Sequence, residues 1–95
     1  MPGRVRVHRS FERDGEYKVR ILSVLNESEE AITIDEIKSE DMMLQPLTTQ
    51  KIARLIGNLI EMGLVRKTMA KNLGRMVYKS VAVMARQGYE VEEYE

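Results

Sequence analysis

The most strongly patterned part of the chain reads Pro46-Leu47-Thr48-Thr49-Gln50-Lys51-Ile52-Ala53-Arg54-Leu55-Ile56-Gly57-Asn58-Leu59-Ile60-Glu61-Met62-Gly63-Leu64-Val65. Its apolar residues recur every three or four positions, which on a helix places them in one stripe that faces a core. The spacing therefore predicts a helix over residues 48–62, with a buried stripe of Ile52, Leu55, Ile56, Leu59 and Ile60.

Both ends of this helix carry signals that define its limits. The Thr48 hydroxyl can cap the amino end by accepting a backbone N–H bond, and Leu47 and Ile52 have the spacing of a hydrophobic staple. At the carboxyl end, Gly63 can supply a left-handed residue that lets Leu64 fold back on the helix. The face opposite the apolar stripe carries polar residues: Gln50, Lys51, Arg54, Asn58 and Glu61.

Two strands are expected directly after this helix, over residues 64–69 and 75–81. Residues 70–74 lie between them as a turn, in which Asn72 and Gly74 tolerate positive φ. Residues 82–85 fit either a continuation of the second strand or a short helix. The predicted hairpin is basic and contains Arg66, Lys67, Lys71, Arg75 and Lys79.

Two helices are predicted upstream. Asp14 is placed to cap a helix over residues 16–25. Thr33 and Glu36 have capping-box spacing at the start of a second helix, which we expect to run from about Ile34 to Asp41. Residues 31–34, just before it, are long enough only for a bridge-like strand.

The chain divides into three parts by composition. Residues 1–13 alternate basic and apolar side chains and fit either a flexible basic arm or an edge strand. Residues 14–85 form the predicted domain. Residues 86–95 form an acidic tail, for which poor order is expected.

Composition excludes several classes of protein. A chain of 95 residues without cysteine has no disulfide or thiolate zinc site, and one histidine makes an imidazole metal cluster improbable. No cofactor is therefore predicted. No apolar run approaches the roughly twenty residues of a membrane span, and no signal peptide is evident. These features predict a cytoplasmic protein without a membrane partner.

The net charge of zero hides a strong segregation of charge. Residues 21–45 contain one basic and seven acidic residues, whereas residues 46–86 contain eight basic residues and one acid, Glu61. Because the local field steers a charged ligand, the basic segment matters more than the total. It indicates a polyanion as partner.

No pattern of catalytic residues is present. The chain has no glycine-rich phosphate loop, no cysteine nucleophile and no serine, histidine and aspartate in a recognisable local context. Acid pairs such as Glu29-Glu30 are adjacent in sequence, so their side chains diverge instead of converging on one bond. An enzyme is therefore not predicted.

The order helix, short strand, short helix, long helix, hairpin resembles the winged helix-turn-helix domain over Tyr17 to Val81. The part most similar is Leu59-Ile60-Glu61-Met62-Gly63-Leu64-Val65-Arg66, which looks like the junction of recognition helix and wing in small bacterial and archaeal transcription regulators. The resemblance implies an α+β fold of three helices plus a two- to three-stranded antiparallel β wing.

The resemblance also implies contacts with double-stranded DNA. The helix over 48–62 would lie in the major groove, where Gln50, Arg54 and Asn58 are the candidates for reading bases. The wing over 64–81 would contact the backbone or enter the minor groove, and Arg4 and Arg6 of the arm could do the latter. The full candidate set is Thr48, Thr49, Gln50, Lys51, Arg54, Asn58, Arg66, Lys67, Lys71, Asn72, Arg75, Lys79, Arg4 and Arg6.

The function implied is sequence-specific DNA binding by a transcriptional regulator, most simply a repressor. Winged-helix regulators commonly read two half-sites as symmetric dimers, so a homodimer is expected. No small-molecule effector follows from the sequence. The alternative is a winged-helix module that binds another protein within a larger assembly, which the acidic first half and tail favour.

Overall fold

The computed structural model describes the backbone of residues 2–88 and the side chains of residues 13–88. Over this range the chain is α+β, with four helices and one two-stranded antiparallel sheet. No helix among the described residues combines the length and apolar character that a membrane span requires. The elements in order are α1 (Pro2–Glu27), α2 (Ile34–Ser39), α3 (Thr49–Glu61), β1 (Val65–Ala70), β2 (Arg75–Ser80) and α4 (Val81–Arg86).

Helix α3 forms where the apolar spacing predicts it. The Thr48 hydroxyl accepts a hydrogen bond from the Lys51 backbone N–H at 3.0 Å, which confirms the predicted cap. At the other end Gly63 has φ of 80°, and the Leu64 N–H donates to the Leu59 carbonyl at 3.0 Å. This bond satisfies a carbonyl that the end of the helix would otherwise leave without a partner.

Two glycines of this region are expected to respond oppositely to alanine. A methyl group would meet nothing within 4 Å at either Gly57 or Gly63. The backbone conformation at each position therefore determines whether alanine raises or lowers the free energy of unfolding. Gly63→Ala should lower the free energy of unfolding by about 1–2 kcal/mol because alanine is strained at positive φ. Gly57→Ala, inside α3, should raise it by about 0.5–1 kcal/mol. Urea unfolding of both variants tests this, and a loss of stability in both would contradict it.

Helix α2 begins with the predicted capping box. The Glu36 N–H donates to the Thr33 hydroxyl at 3.2 Å, and the Thr33 N–H donates to the Glu36 carboxylate at 2.8 Å. The helix ends at Ser39, two residues before the predicted limit, and Asp41 instead accepts a hydrogen bond from the Met43 N–H at 2.8 Å. That bond stabilises a turn in the connection to α3.

The segment before α2 forms the bridge that its short length predicts. The Ile32 N–H donates to the Tyr78 carbonyl at 3.0 Å, and the Tyr78 N–H donates to the Ile32 carbonyl at 2.8 Å. Strand β2 therefore has β1 on one edge and Ile32 on the other. This attaches the base of the hairpin to the connection between α1 and α2.

The first helix differs from the expectation. The edge-strand alternative for residues 1–13 is wrong, because residues 2–13 belong to α1, which continues to Glu27. Asp14 is not a cap but lies inside this helix. Pro2 is tolerated in the first turn, where no N–H is needed, and Gly15 costs only about 1 kcal/mol in a helix interior. Neither residue therefore prevents one continuous helix.

Helix α4 resolves the two alternatives for residues 82–85. The buried Ser80 hydroxyl accepts hydrogen bonds from the N–H groups of Ala82 and Val83, which starts a helix in place of further strand. Ser80 also donates to the Asn26 side chain, and Arg86 donates to the Asn26 carbonyl at 2.9 Å. These bonds attach α4 to the end of α1. Residues 89–95 of the predicted acidic tail lie outside the described residues.

The core lies between α1, α2, α3 and one face of the hairpin. All four residues of α3 that are buried belong to the predicted stripe, while Ile60 is only partly buried. Tyr78 is buried against them, and this burial raises the pKa of its hydroxyl above 10.0. The buried cluster consists of Ile21, Leu25, Ile37, Leu44, Ile52, Leu55, Ile56, Leu59, Val65 and Tyr78.

Candidate nucleic-acid interface

The polar face of α3 comprises the six candidate residues of the helix and its cap: Thr48, Thr49, Gln50, Lys51, Arg54 and Asn58. Four of them are exposed, and the other two, Lys51 and Asn58, are partly buried. The exposed surface next to Gln50 and Arg54 is formed by the small residue Ala53. Because Ala53 is small, the backbone of α3 can approach another surface closely at this point, while the longer side chains of Gln50 and Arg54 extend toward that surface.

A carboxylate from α1 occupies one edge of this face. The Lys51 Nζ lies 2.8 Å from Asp14 Oδ1, and the Arg54 Nη2 donates to Asp14 Oδ2 at 3.2 Å. The Lys51 ammonium beside Oδ1, together with the hydrogen bond from Arg54, holds the pKa of the Asp14 carboxyl below its usual value of 3.8, although burial acts in the opposite direction. Asp14 is therefore ionised at neutral pH and offsets one of the two positive charges.

Sequence reasoning missed Asp14 as a functional candidate. Asp14 lies 40 positions from Arg54. Its place just before the predicted helix over 16–25 indicated a helix cap and not a partner for Arg54. A signal was nevertheless present, since Asp14 precedes Ile21 by seven positions, which is two helical turns. Extending the helix upstream places Asp14 on the side of α1 that packs on the core.

The hairpin register separates the basic residues between two faces. Arg66 pairs with Lys79, and Ala70 pairs with Arg75, so these three cations belong to one face. Lys67 pairs with Tyr78 on the other face. Lys71 and Asn72 lie exposed in the turn, where Gly74 has positive φ and Asn72 does not. The basic residues therefore cannot all meet one flat surface.

The beginning of β2 lies close to the beginning of α3. Arg75 and Thr49 border one surface recess of about 240 Å³, together with Asp35, Met76 and Tyr78. Arg75 also forms an ion pair with Asp35 at 3.5 Å, in which both side chains are largely exposed. The recess thus brings the beginning of α3 and the beginning of β2 together at the start of α2, where Thr33 and Ile34 also line it.

Lys79 has a different environment. It borders a recess of about 480 Å³ together with Glu29, Glu30 and Gln87. Its partner in the register, Arg66, is partly buried. Carboxylates beside Lys79 oppose the approach of a phosphate. Of the predicted hairpin candidates, the exposed ones are Lys67, Lys71, Asn72 and Arg75.

The end of the hairpin also carries apolar side chains that the sequence did not single out. Met69 is 53% exposed and Leu73 is 57% exposed, on either side of Lys71 in the sequence. A mixed apolar and cationic end is suited to the minor groove, where proteins insert apolar side chains beside basic ones.

A second groove has the opposite charge. It has a volume of about 470 Å³ and lies between the end of α1 and α2, where Val24 and Ile32 contribute apolar surface. Its charged residues are Glu27, Glu36 and Glu40. We call it the acidic groove. It offers a surface for a cationic partner and not for a nucleic acid.

The side chains of Arg4 and Arg6 lie outside the described residues. Comparison of the chain with protein-family models, with curated proteins and with solved structures finds no match.

Proposed function

We propose that the protein is a sequence-specific double-stranded DNA-binding protein of winged-helix fold that acts as a transcriptional regulator, most simply a repressor. The observation that carries this proposal is the recess shared by Thr49 of α3 and Arg75 of β2. It places Thr49, at the start of the polar helix face, near Arg75 of the basic hairpin, and Asp35 of the preceding acidic segment also borders it. Residues 46–86, which include the helix and the hairpin, contain eight basic residues and one acid. Phosphate contacts dominate affinity for nucleic acids, so this concentration of cations favours a DNA partner.

The order of the elements supports the winged-helix part of the proposal. Ile32 pairs with β2, which itself pairs with β1, so the segment before α2 acts as a third, one-residue strand beside the hairpin. This is compatible with a helix, short strand, two helices and a two-stranded wing. Helix α1 packs on α3 from the side of the core and leaves Thr48, Thr49, Gln50 and Arg54 exposed, while its Asp14 lies at one edge of the polar face beside Lys51 and Arg54.

The dimensions of α3 suit the major groove. Thirteen residues span about 20 Å, and the major groove, at about 12 Å wide, admits an α-helix. Gln50 and Asn58 can form bidentate pairs with adenine, and Arg54 can do so with guanine. The uncapped N–H groups near Thr49 suit a phosphate. Lys71 in the turn, together with either Lys67 or Arg75 from the two opposite faces of the hairpin, would then contact the backbone or the minor groove.

Fluorescence anisotropy with a labelled random-sequence duplex tests the proposal. If about five phosphates are neutralised, the logarithm of the association constant should fall against the logarithm of salt concentration with a slope of about −4 to −5. A single-stranded oligonucleotide of the same length is the control and should bind more weakly. Absence of duplex binding even at low salt would refute the proposal.

The proposal includes a homodimer that reads two half-sites. Selection of bound duplexes from a random pool would then enrich a motif with two-fold symmetry, and the spacing of its halves would report the distance between the two α3 helices. An enriched motif without symmetry would instead indicate a monomer on DNA.

The acidic groove favours a second candidate function, a module that binds another protein. Its carboxylates and its apolar floor of Val24 and Ile32 fit a basic amphipathic segment of a partner. Substituting Arg54→Ala together with Lys71→Ala separates the two functions. Partner binding without nucleic acid would survive these substitutions, whereas DNA binding would be strongly reduced.

A further inference from the structure

We propose that Asp14 of α1 is a specificity-determining residue of the DNA surface, which holds Lys51 and Arg54 so that phosphate attraction is weakened relative to base recognition. This inference rests on the proposed function. It gives a role in that function to a carboxylate 40 positions away from Arg54 in sequence.

The geometry brings one carboxylate to two cations that are three positions apart on α3. Each Asp14 oxygen has its own partner, Lys51 at 2.8 Å and Arg54 at 3.2 Å. The Asp14 side chain is only 16% exposed, while the Arg54 side chain is 55% exposed. The carboxylate is thus covered by the two cations, and part of Arg54 remains accessible from outside.

Arg54 can keep its bond to Asp14 and still bind a base. The interaction with Asp14 uses the Nη2 atom, and a guanidinium has five N–H donors in a fixed plane. The remaining donors are therefore available to the two acceptor atoms of guanine in the major groove. Because one edge of the guanidinium is held, the orientation of the other edge is restricted before DNA binds.

Phosphate binding at the same place is disfavoured by the carboxylate. A phosphate that approaches Lys51 or Arg54 brings a negative charge close to Asp14, whereas a base edge is uncharged. With Asp14 ionised, Lys51, Arg54 and Asp14 together have a net charge of +1, whereas the two cations alone would have +2. The carboxylate therefore reduces attraction to any DNA sequence more than it reduces the contact with a preferred base.

The same ion pairs are poorly explained by stability alone. Partly exposed ion pairs contribute little to folding, and α1 is already held by the fully buried Ile21 and Leu25. Asp41 is the matched position for a control substitution, because its side chain pairs with Arg20 at 2.8 Å and is as little exposed as that of Asp14. Neither Asp41 nor Arg20 belongs to the candidate DNA surface.

The test is the affinity of Asp14→Asn for a labelled random-sequence duplex, measured by anisotropy across a range of salt concentrations. Releasing the two cations should add about one phosphate contact, which predicts affinity about 5- to 10-fold higher near 0.1 M salt and a log–log slope steeper by about 0.9. Asp41→Asn is the matched control because it removes the same charge and also breaks an ion pair. Its affinity should change by less than about 2-fold, since screening weakens the effect of distant charges.

Two further measurements separate an effect through Lys51 and Arg54 from a general gain of positive charge. In a Lys51→Gln, Arg54→Gln background, Asp14→Asn should no longer steepen the salt slope. With a duplex enriched by selection, Asp14→Asn should raise affinity less than it does with random duplex, so the ratio between the two affinities should fall. Asp14→Glu, which keeps the charge, should retain most of that ratio.

The outcomes distinguish failure of this inference from failure of the proposed function. If wild type binds duplex and a folded Asp14→Asn variant binds no more tightly and with the same slope, the inference is wrong and the proposed function stands. An equal gain in Asp41→Asn would also refute the inference. If neither wild type nor Asp14→Asn binds duplex at low salt, the proposed function fails and the inference fails with it.

Discussion

Truncating Leu55 to alanine is expected to lower the free energy of unfolding by about 2–5 kcal/mol. Leu55 is fully buried in the middle of α3, and its side chain belongs to the cluster that joins the helices to the hairpin. Removing it loses apolar burial and leaves a cavity, because the neighbouring side chains can collapse only in part. Since small domains are stable by only about 5–15 kcal/mol, this loss is a large fraction of the total.

Urea unfolding followed by circular dichroism measures this change as a shift of the midpoint. Leu73→Ala provides the control, because the same side chain is removed from a position that is 57% exposed at the end of the hairpin. The control should change stability by less than about 0.5 kcal/mol. Equal losses in the two variants would mean that α3 does not pack as the structure has it.

Reversing two charges of the hairpin, Lys67→Glu together with Lys71→Glu, should weaken binding to random duplex by about 100-fold near 0.1 M salt. Both lysines are exposed, and no carboxylate among the described residues forms an ion pair with either. Each lost phosphate contact removes roughly one released counterion, so the log–log slope should become less steep by about two. The two new carboxylates add repulsion.

The matched control is Lys18→Glu together with Lys38→Glu. These lysines lie on α1 and α2, outside the candidate DNA surface, and their reversal changes the net charge equally. Because charges more than about 10 Å apart are largely screened at 0.1 M salt, the control should weaken binding far less. If both pairs of substitutions weaken binding to the same extent, DNA responds to total charge and the hairpin has no special role.

Local signals account for the parts of the fold that were predicted correctly. Helix α3, its Thr48 cap and its stop at Gly63 all follow from residues within a few positions of one another, as does the capping box of α2. The hairpin limits agree to within one residue. Such features can be read from sequence because each bond joins near neighbours along the chain.

The errors arose where a local signal competes with a distant partner. Asp14 has the chemistry of a cap, but its carboxylate is used by Lys51 and Arg54, which reach it only after α1 and α3 pack together. Residues 82–85 were ambiguous for a similar reason. The choice of helix depends on Ser80, whose hydroxyl also bonds to Asn26, 54 positions earlier.

The candidate DNA surface was predictable in composition but not in arrangement. The residue types of α3 could be assigned to its polar face from spacing, and four of the six are exposed. The distribution of the hairpin cations depends on strand register, which places Arg66, Arg75 and Lys79 on one face and Lys67 on the other. The acidic surroundings of Lys79 come from a loop 49 positions away and were not visible in the hairpin itself.

The pairing of Ile32 with Tyr78 holds the base of the hairpin and leaves its turn without such a partner. Tyr78 lies near the base of β2, so the base is held on both edges, and Arg75 is held by its ion pair with Asp35. No hydrogen bond or ion pair among the described residues attaches the turn over 71–74 to an element outside the hairpin. A hairpin that is held at its base can bend beyond the last residue that another element holds. We therefore expect the turn to adapt to a curved or irregular contour without altering the orientation of α3, which its buried stripe fixes against the core.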